Sequence, residues 1–528
     1  MIKDRILEEF VSALSKYELP NENIEIISTN IKGRGHFSTN YALVNGLTEE
    51  QKKILETKVI SDLNNHSSRG GGTFFERVEY IKPGFVNFTM GIVPLTQEFG
   101  VIQQEKEKYG KIDIGCGKSA LIEIVSANPT GPIHLGNARG GPIGDVIANI
   151  FEFFGYKVSR EFYLNNVGGQ VKKFKSSIVA IFEGSGEGEY SGEYYENLAK
   201  KVKGDSNRAF EMVIDSIKND LQDLGVVYDS WVSESEIRED KTPSIVKYFQ
   251  QQGLTKEKDG ALWFAPSDQF LEDRECVLIR SDEEGTPTYF ANDIAYHKDK
   301  YDRGYECLVN IWGANHHGHV PRVKAAMKAL GYDESKLEVI LYQWVSLIEN
   351  GKKKSMSKRK GDFVTLREVL DQVGKDAIRF AFVSRDFNTP QDIDLDILVK
   401  QDKENPLYYI QYVAARVNSV LKKVDSDVEV GGLNNDLELE KEIDLILKTL
   451  EYPDVVKQAF EDRKVHKIAF YLYDLASIFH KYYEETPILK DKSVGASTIH
   501  ARVELIKGVK QIVDNGLGLL GISVPEKM

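Results

Sequence analysis

The residues best suited to chemistry fall in two segments far apart in the chain. The first is Pro132-Ile133-His134-Leu135-Gly136-Asn137. It lies between an apolar run, SALIEIVSA, that reads as a strand and a stretch with apolar residues at helical spacing that ends at Gly155. Strand end followed by helix start is where an open α/β sheet binds a nucleotide, because free N–H groups and the helix dipole favour phosphate there. Gly136 lets the backbone approach the nucleotide, and His134 is placed to donate a hydrogen bond to an α-phosphate as charge builds on it. A histidine that only caps the helix is the plain alternative. The second segment, Gly351 to Gly361, reads GKKKSMSKRKG. A basic loop flanked by glycines can close over a triphosphate and stabilise departing pyrophosphate. A solvated lysine run is the ordinary alternative.

These segments need elements to position them. The unit from SALIEIVSA through the helical stretch to KVSREFYLNN is strand–loop–helix–strand, the building piece of a parallel α/β sheet. Further strand signals occur at ALWFA, CVLIR, TYFAND, CLVNIW and LEVILYQWV. The helical, charged stretch at about 172–270 reads as an insertion in this domain, which spans 113–390. Residues 1–112 read as a small α+β domain with two strands around Lys82-Pro83-Gly84. Residues 391–528 read as a helical bundle.

Composition bounds the reading. The chain has 528 residues, 41% hydrophobic and 28% charged, as expected of a soluble multidomain protein. No apolar run approaches the roughly 20 residues that span a bilayer, and the start lacks the apolar core of a secretory signal, so no membrane association and a cytoplasmic location are expected. Cys116, Cys276 and Cys307 lie far apart without a C-x-x-C pair, which argues against disulfides and thiolate zinc. His316, His317 and His319 have poor spacing for a metal, and none is expected. A net charge of −13 argues against a general nucleic-acid coat protein but leaves room for a specific RNA bound on a local basic stripe.

Taken together, the two segments resemble the two signatures of class I aminoacyl-tRNA synthetases. His134-Leu135-Gly136-Asn137 is similar to His-x-Gly-His, with Asn137 at the second histidine. Ser355-Met356-Ser357-Lys358-Arg359 is similar to Lys-Met-Ser-Lys-Ser, with Ser355 at the first lysine. The likeness tightens to the arginyl-tRNA synthetases in Glu123–Pro132, Phe162–Gln170, Tyr289–His297, Trp312–Gly318, Asn405–Tyr412 and the ending Gly521–Met528. It covers nearly the whole chain in order. A nucleotidyltransferase for a small metabolite and a non-catalytic RNA-binding relative are the rival readings. The extra terminal domains weigh against the first, and Lys358 against the second.

The resemblance implies a Rossmann-type parallel-sheet catalytic domain between an N-terminal α+β domain and a C-terminal all-α anticodon-binding bundle. It implies arginine activation by ATP, with Mg2+ arriving on the nucleotide, then transfer to the 3′ adenosine of tRNA(Arg), with activation dependent on the RNA. A monomer is expected. Catalysis is assigned to His134, Asn137 and Lys358. ATP would be held by His134, Gly136, Asn137, Gly313, Asn315, His317, Met356, Ser357 and Lys358. Arginine would be held by Glu123, Ser126, Asn128, His134, Tyr289 and Asp293. A planar cation with five donors calls for carboxylates and neutral acceptors, so Asp293 is expected to pair with the guanidinium. The bland alternative for Glu123 is an internal salt bridge to Arg139 or Arg160. RNA contacts are assigned to Phe37, Asn40, Tyr408, Gln411, Tyr412 and Met528, with Phe37 equally readable as core and the tyrosines as packing.

Overall fold

A computed structural model describes residues 1–29, 33–65, 73–185, 188–266, 276–283, 285–353, 364–424, 433, 436–437, 439–491 and 493–528. The amino-terminal unit pairs β1 (Ile27–Ser28), β2 (Phe37–Thr39), β3 (Phe75–Ile81) and β4 (Phe85–Met90) in the order β1-β2-β4-β3, all antiparallel. The hairpin expected around Lys82-Pro83-Gly84 is β3–β4. The helix Ile2–Ser15 packs Phe10 edge-on against Tyr41 and Phe88 to close this core. The helix Ile92–Glu105 falls within the first 112 residues but packs against carboxy-terminal helices, where Gln103 Nε2 donates to Glu504 Oε2 at 2.6 Å.

The central sheet is fully parallel. Its members are β5 (Ser119–Ile124), β6 (Lys157–Leu164), β7 (Ser230–Ser233), β11 (Cys307–Gly313) and β12 (Leu337–Tyr342), in the order β12-β11-β5-β6-β7. The chain runs outward from β5 to β7, then returns to start β11 on the other side of β5. The gap between β5 and β11 is therefore the switch point, where a crevice opens beyond the strand ends. The helix Gly140–Phe153 is buried on nearly every face because it lies between this sheet and the carboxy-terminal helices, with Phe151 and Phe154 packed on Phe460. Gly144 makes its close approach possible: a Cβ there would sit 2.9 Å from Ile124.

Three expectations change here. The stretch at 172–270 is not wholly an insertion, since β7 is an edge strand of the main sheet. TYFAND is not a strand but the start of the helix Tyr289–Asp302, with Thr288 as its cap. LEVILYQWV is two strands in two sheets. After β12 the chain enters β13 (Val345–Glu349), which pairs with β14 (Lys352–Lys353) and with β15 (Gln391–Asp394). A small antiparallel sheet of β8 (Thr255–Lys258), β9 (Ala261–Phe264) and β10 (Cys276–Ile279) precedes the helix at 289. Beyond Pro406 the described chain is helical: Pro406–Leu421, Glu440–Leu450, Tyr452–Asp462, His466–Glu485 and Ala496–Leu519.

Candidate active site

Two adjoining cavities of about 660 and 850 Å³ form one cleft at the carboxyl ends of β5, β6 and β11. Ala127, Asn128, Asn137, Gln170, Lys173 and Asn315 line both. The backbone turns sharply out of β5, with Val125 at φ 70° and Ser126 at φ 46°. Left-handed geometry is an outlier for a β-branched residue and is held here by its surroundings. Ser126 N donates to Ile124 O at 3.0 Å, and Ser126 Oγ accepts from Tyr163 N at 3.1 Å. The turn aims Asn128 into the cleft, where its amide donates to Gln170 Oε1 at 3.0 Å.

His134 caps the short helix Leu135–Ala138, its Nδ1 accepting from Asn137 N at 3.2 Å. That bond assigns the proton to Nε2. The capping alternative and the catalytic assignment are thus compatible in one rotamer. Gly136 keeps the turn tight, since a Cβ would sit 3.2 Å from the His134 ring. Residues 364–366 run alongside: Leu135 N donates to Val364 O at 3.3 Å, Leu366 N to Ile133 O at 2.8 Å, and His134 bridges Thr365. The chain on the carboxyl side of the basic segment therefore touches the first signature. Met356, Ser357 and Lys358 lie outside the described residues.

Other assigned residues divide. Ser126, Asn128, Tyr289, Gly313 and Asn315 line the larger cavity. The histidine there is His316, not His317, which is exposed; the short helical turn Ala314–His316 points successive side chains in different directions. Glu123 is buried and already paired, by Lys300 Nζ at 2.5 Å with Trp312 Nε1 at 3.4 Å. Its partner is neither Arg139 nor Arg160, and this bond leaves Glu123 as an internal anchor between β5 and the helix at 289. Asp293 is 2% exposed. His319 Nε2 lies 2.5 Å from its Oδ2 and His297 Nδ1 3.2 Å from its Oδ1. Burial alone would raise its pKa, but the two imidazoles hold it well below the ordinary value.

One carboxylate of the cleft is not among the residues expected from the sequence. Glu234, directly after β7, lines the larger cavity yet is only 3% exposed. Asn292 Nδ2 donates to its Oε1 at 2.8 Å, and Thr242 Oγ1 donates to Asn292 Oδ1 at 3.1 Å. Its Oε2 has no partner among the described residues. Burial pushes its pKa to about 7; the Asn292 bond opposes this, Asp293 adds to it and Arg238 opposes it. The signal in sequence was an acid directly after a strand, hidden within the charged run SESEIRED.

Among the RNA assignments, Phe37 is 3% exposed and belongs to the amino-terminal core, which removes its ring from stacking. Asn40 is exposed. Gln411 is buried and its amide donates to Ser523 O at 2.8 Å, a tie within the bundle. Tyr408 and Tyr412 stack at 5.8 Å, with Arg416 over Tyr412 at 4.9 Å, and Met528 is exposed. Among the described residues no cluster of His, Cys, Asp or Glu could hold a metal, and no helix is long and apolar enough to cross a membrane.

A parallel sheet whose switch-point cleft carries His-x-Gly-Asn beside the flanks of a basic segment defines a class I aminoacyl-tRNA synthetase. The class I (R) tRNA synthetase catalytic domain model matches residues 100–191 and 186–385, the arginyl tRNA synthetase N terminal domain model 2–90 and the DALR anticodon binding domain model 410–528. The chain is 38% identical to an arginine–tRNA ligase of Caldanaerobacter subterraneus subsp. tengcongensis, over 100% of this chain and 98% of that one. It resembles the crystal structure of a putative arginyl-tRNA synthetase from Campylobacter jejuni, at 33% identity and TM-score 0.75, covering 83% of this chain and 100% of that one. The Thermus thermophilus arginyl-tRNA synthetase shares the fold at 21% identity and TM-score 0.75, with each chain fully covered. The chain belongs to the arginyl-tRNA synthetases, enzymes that join arginine to transfer RNA using ATP.

Proposed function

We propose that the guanidinium of substrate arginine lies against Glu234 and Tyr289, in front of Asp293, while the α-phosphate of ATP lies against His134 and Asn137. The observation that carries this reading is Glu234: a buried acid in the cleft wall with one oxygen that has no partner among the described residues. Such an acid is costly unless a cation meets it. Asp293 supplies negative potential from behind, and direct contact with the guanidinium requires His319 to give way. Asn128 meets the amino acid's own amine or carboxylate end.

In the first step the arginine carboxylate attacks the α-phosphorus and pyrophosphate leaves, giving arginyl-adenylate. His134, through Nε2–H, and the Asn137 amide stabilise charge on the α-phosphate, and Lys358 does so at the leaving group. In the second step a ribose hydroxyl of the terminal adenosine attacks the acyl carbon and AMP departs. Alignment supplies much of the rate, and no protein nucleophile takes part. Magnesium would arrive with ATP, since no cluster of acids, histidines or cysteines among the described residues could hold it, and would supply charge neutralisation of the phosphates. Asn40, Tyr408, Tyr412 and Met528 contact the RNA. The enzyme acts as a cytoplasmic monomer, and light scattering of the purified protein checks the monomer.

Arginine activation waits for the RNA. Asn137 and Ser355 weaken the two signatures, so binding of RNA at the outer domains shifts the cleft toward its ordered state. Arginine-dependent exchange of labelled pyrophosphate into ATP, with and without intact tRNA(Arg), tests the reading. Exchange with arginine only when RNA is present is the expected result. Full exchange in RNA-free enzyme removes the coupling, and absence of exchange under both conditions removes the whole assignment.

A further inference from the structure

Arg139 immediately follows the His134–Asn137 turn and its helix, and it is 0% exposed. No carboxylate neutralises it within salt-bridge distance among the described residues; the nearby Asp386 carboxylate lies 3.6 Å from Lys464 instead. The Arg139 guanidinium donates to three backbone carbonyls: Gln343 O at 2.6 Å, Thr389 O at 3.0 Å and Asp386 O at 3.2 Å. Gln343 lies two residues before β13, and 386–389 lead into β15, its parallel partner. Two more bonds close this seam: Gln343 N to Phe387 O at 2.7 Å and Gln391 N to Trp344 O at 3.2 Å. The same sheet carries β14, from which the chain runs into the basic segment, and 364–366 then return to Ile133–Leu135. A buried cation without a counter-ion is expensive, and an apolar side chain would fill the space at less cost. Retaining it makes sense if its planar fork does something that packing cannot.

We propose that Arg139 is a positioning residue for adenylate formation: its fork clamps the start of β13 to the 386–389 loop and thereby holds the β13–β15 sheet in register with the His134–Asn137 turn. Arg139 touches no substrate. Burial pushes its pKa down to about 10, with Tyr342 and Asp386 opposing, so the clamp stays charged at neutral pH. A lysine at this position keeps a charge but cannot span three carbonyls from two segments with one planar group.

The test uses full-length Arg139→Lys with intact tRNA(Arg). The expected result is a kcat for arginine-dependent pyrophosphate exchange at least 10-fold below wild type, with the KM for arginine and the Kd for RNA within 2-fold. A kcat within 2-fold of wild type in the folded variant overturns the proposal. So does a variant in which arginine KM, RNA affinity and kcat all fail together, which marks a general scaffold residue. Hydrogen exchange on the wild-type enzyme needs no variant. The amides of Asn137, Gln343 and Gln391 should exchange as one cooperative unit, and independent exchange would overturn the clamp. The proposal rests on the reading of the cleft only through the assay, and wild-type exchange measured alongside separates the two failures.

Discussion

Replacing Glu234 by Gln removes the charge and keeps the shape. Glu234 lies 3% exposed, and its pKa rises from 4.5 to about 7. At about 1.4 kcal/mol per pH unit, that rise means ionised Glu234 costs the empty enzyme roughly 3 kcal/mol. The folded value lies above the unfolded one, so the folded protein keeps a proton that the unfolded chain loses. Stability from this group is therefore full below pH 4.5, declines as pH rises and is lost above about 7. Glu234→Gln lacks this decline. Spread over the unfolding entropy of a chain of this size, the gain at pH 8 is a few degrees at most in melting temperature, and it shrinks to a small fraction of that near pH 5. Arginine acts oppositely, because a guanidinium favours the ionised acid. Wild-type enzyme should bind arginine more tightly as pH rises through 7 and release a fraction of a proton at pH 6. Titration calorimetry in buffers of different ionisation enthalpy measures that release. Loss of one charged partner from a desolvated pair typically costs about 2–5 kcal/mol, so arginine affinity in Glu234→Gln should fall roughly 30-fold or more, without pH dependence near 7. A melting scan, calorimetry and exchange kinetics, each at pH 5, 6 and 8, cover the argument. Unchanged arginine affinity in the folded variant would refute it, and so would a wild-type pH profile identical to that of the variant.

Three further outcomes follow from the same geometry. Asp293→Asn should raise the KM for arginine at least 10-fold with ATP binding nearly intact; an effect confined to the KM for ATP in exchange kinetics would count against it. Lys358→Ala should lower kcat for adenylate formation more than it raises the KM for ATP if its charge acts in the transition state; a pure KM effect would restrict the residue to ground-state binding. At subsaturating RNA, exchange activity should fall steeply between about 50 and 200 mM salt, because phosphate contacts release counterions, and a flat salt profile would contradict docking through phosphates.

The sequence was most legible where backbone geometry and chemistry coincide. The strand–turn–helix around His134 and the hairpin at Pro83 were readable because glycine, proline and apolar runs mark them directly. TYFAND misled because the helix it begins is buried from Phe290 to His297. A helix buried on all sides has no polar face, so its period vanishes and a short apolar run looks like a strand. LEVILYQWV misled for a related reason: two successive strands leave one apolar run, and only their partners show that they belong to different sheets. The site acids show the deeper limit. Glu123 and Asp293 were conspicuous as acids in apolar runs, yet both already have internal cations or imidazoles. Glu234 falls in a charged helical stretch that singles it out in no way, and only packing against Asn292 and Thr242 reveals that it is buried with one oxygen unpartnered among the described residues. Residue type is local, but whether a charge is already answered depends on partners far away in sequence.

The placing of β5 between β6 and β11 bears on how the protein is made. Strand β6 follows β5 closely, but β11 begins roughly 190 residues later, a delay of about 10–40 s at ordinary ribosomal speeds of about 5–20 residues per second. During that interval β5 presents an open, strongly apolar edge, the kind of surface on which nascent chains associate wrongly. Glu123 sits one residue from its carboxyl end. Before Lys300 and β11 emerge its carboxylate is unanswered, and burying that edge against a stray strand would bury a bare charge. The acid that locks β5 to the helix at 289 in the folded protein therefore makes mispairing of that edge costly before its proper neighbour arrives.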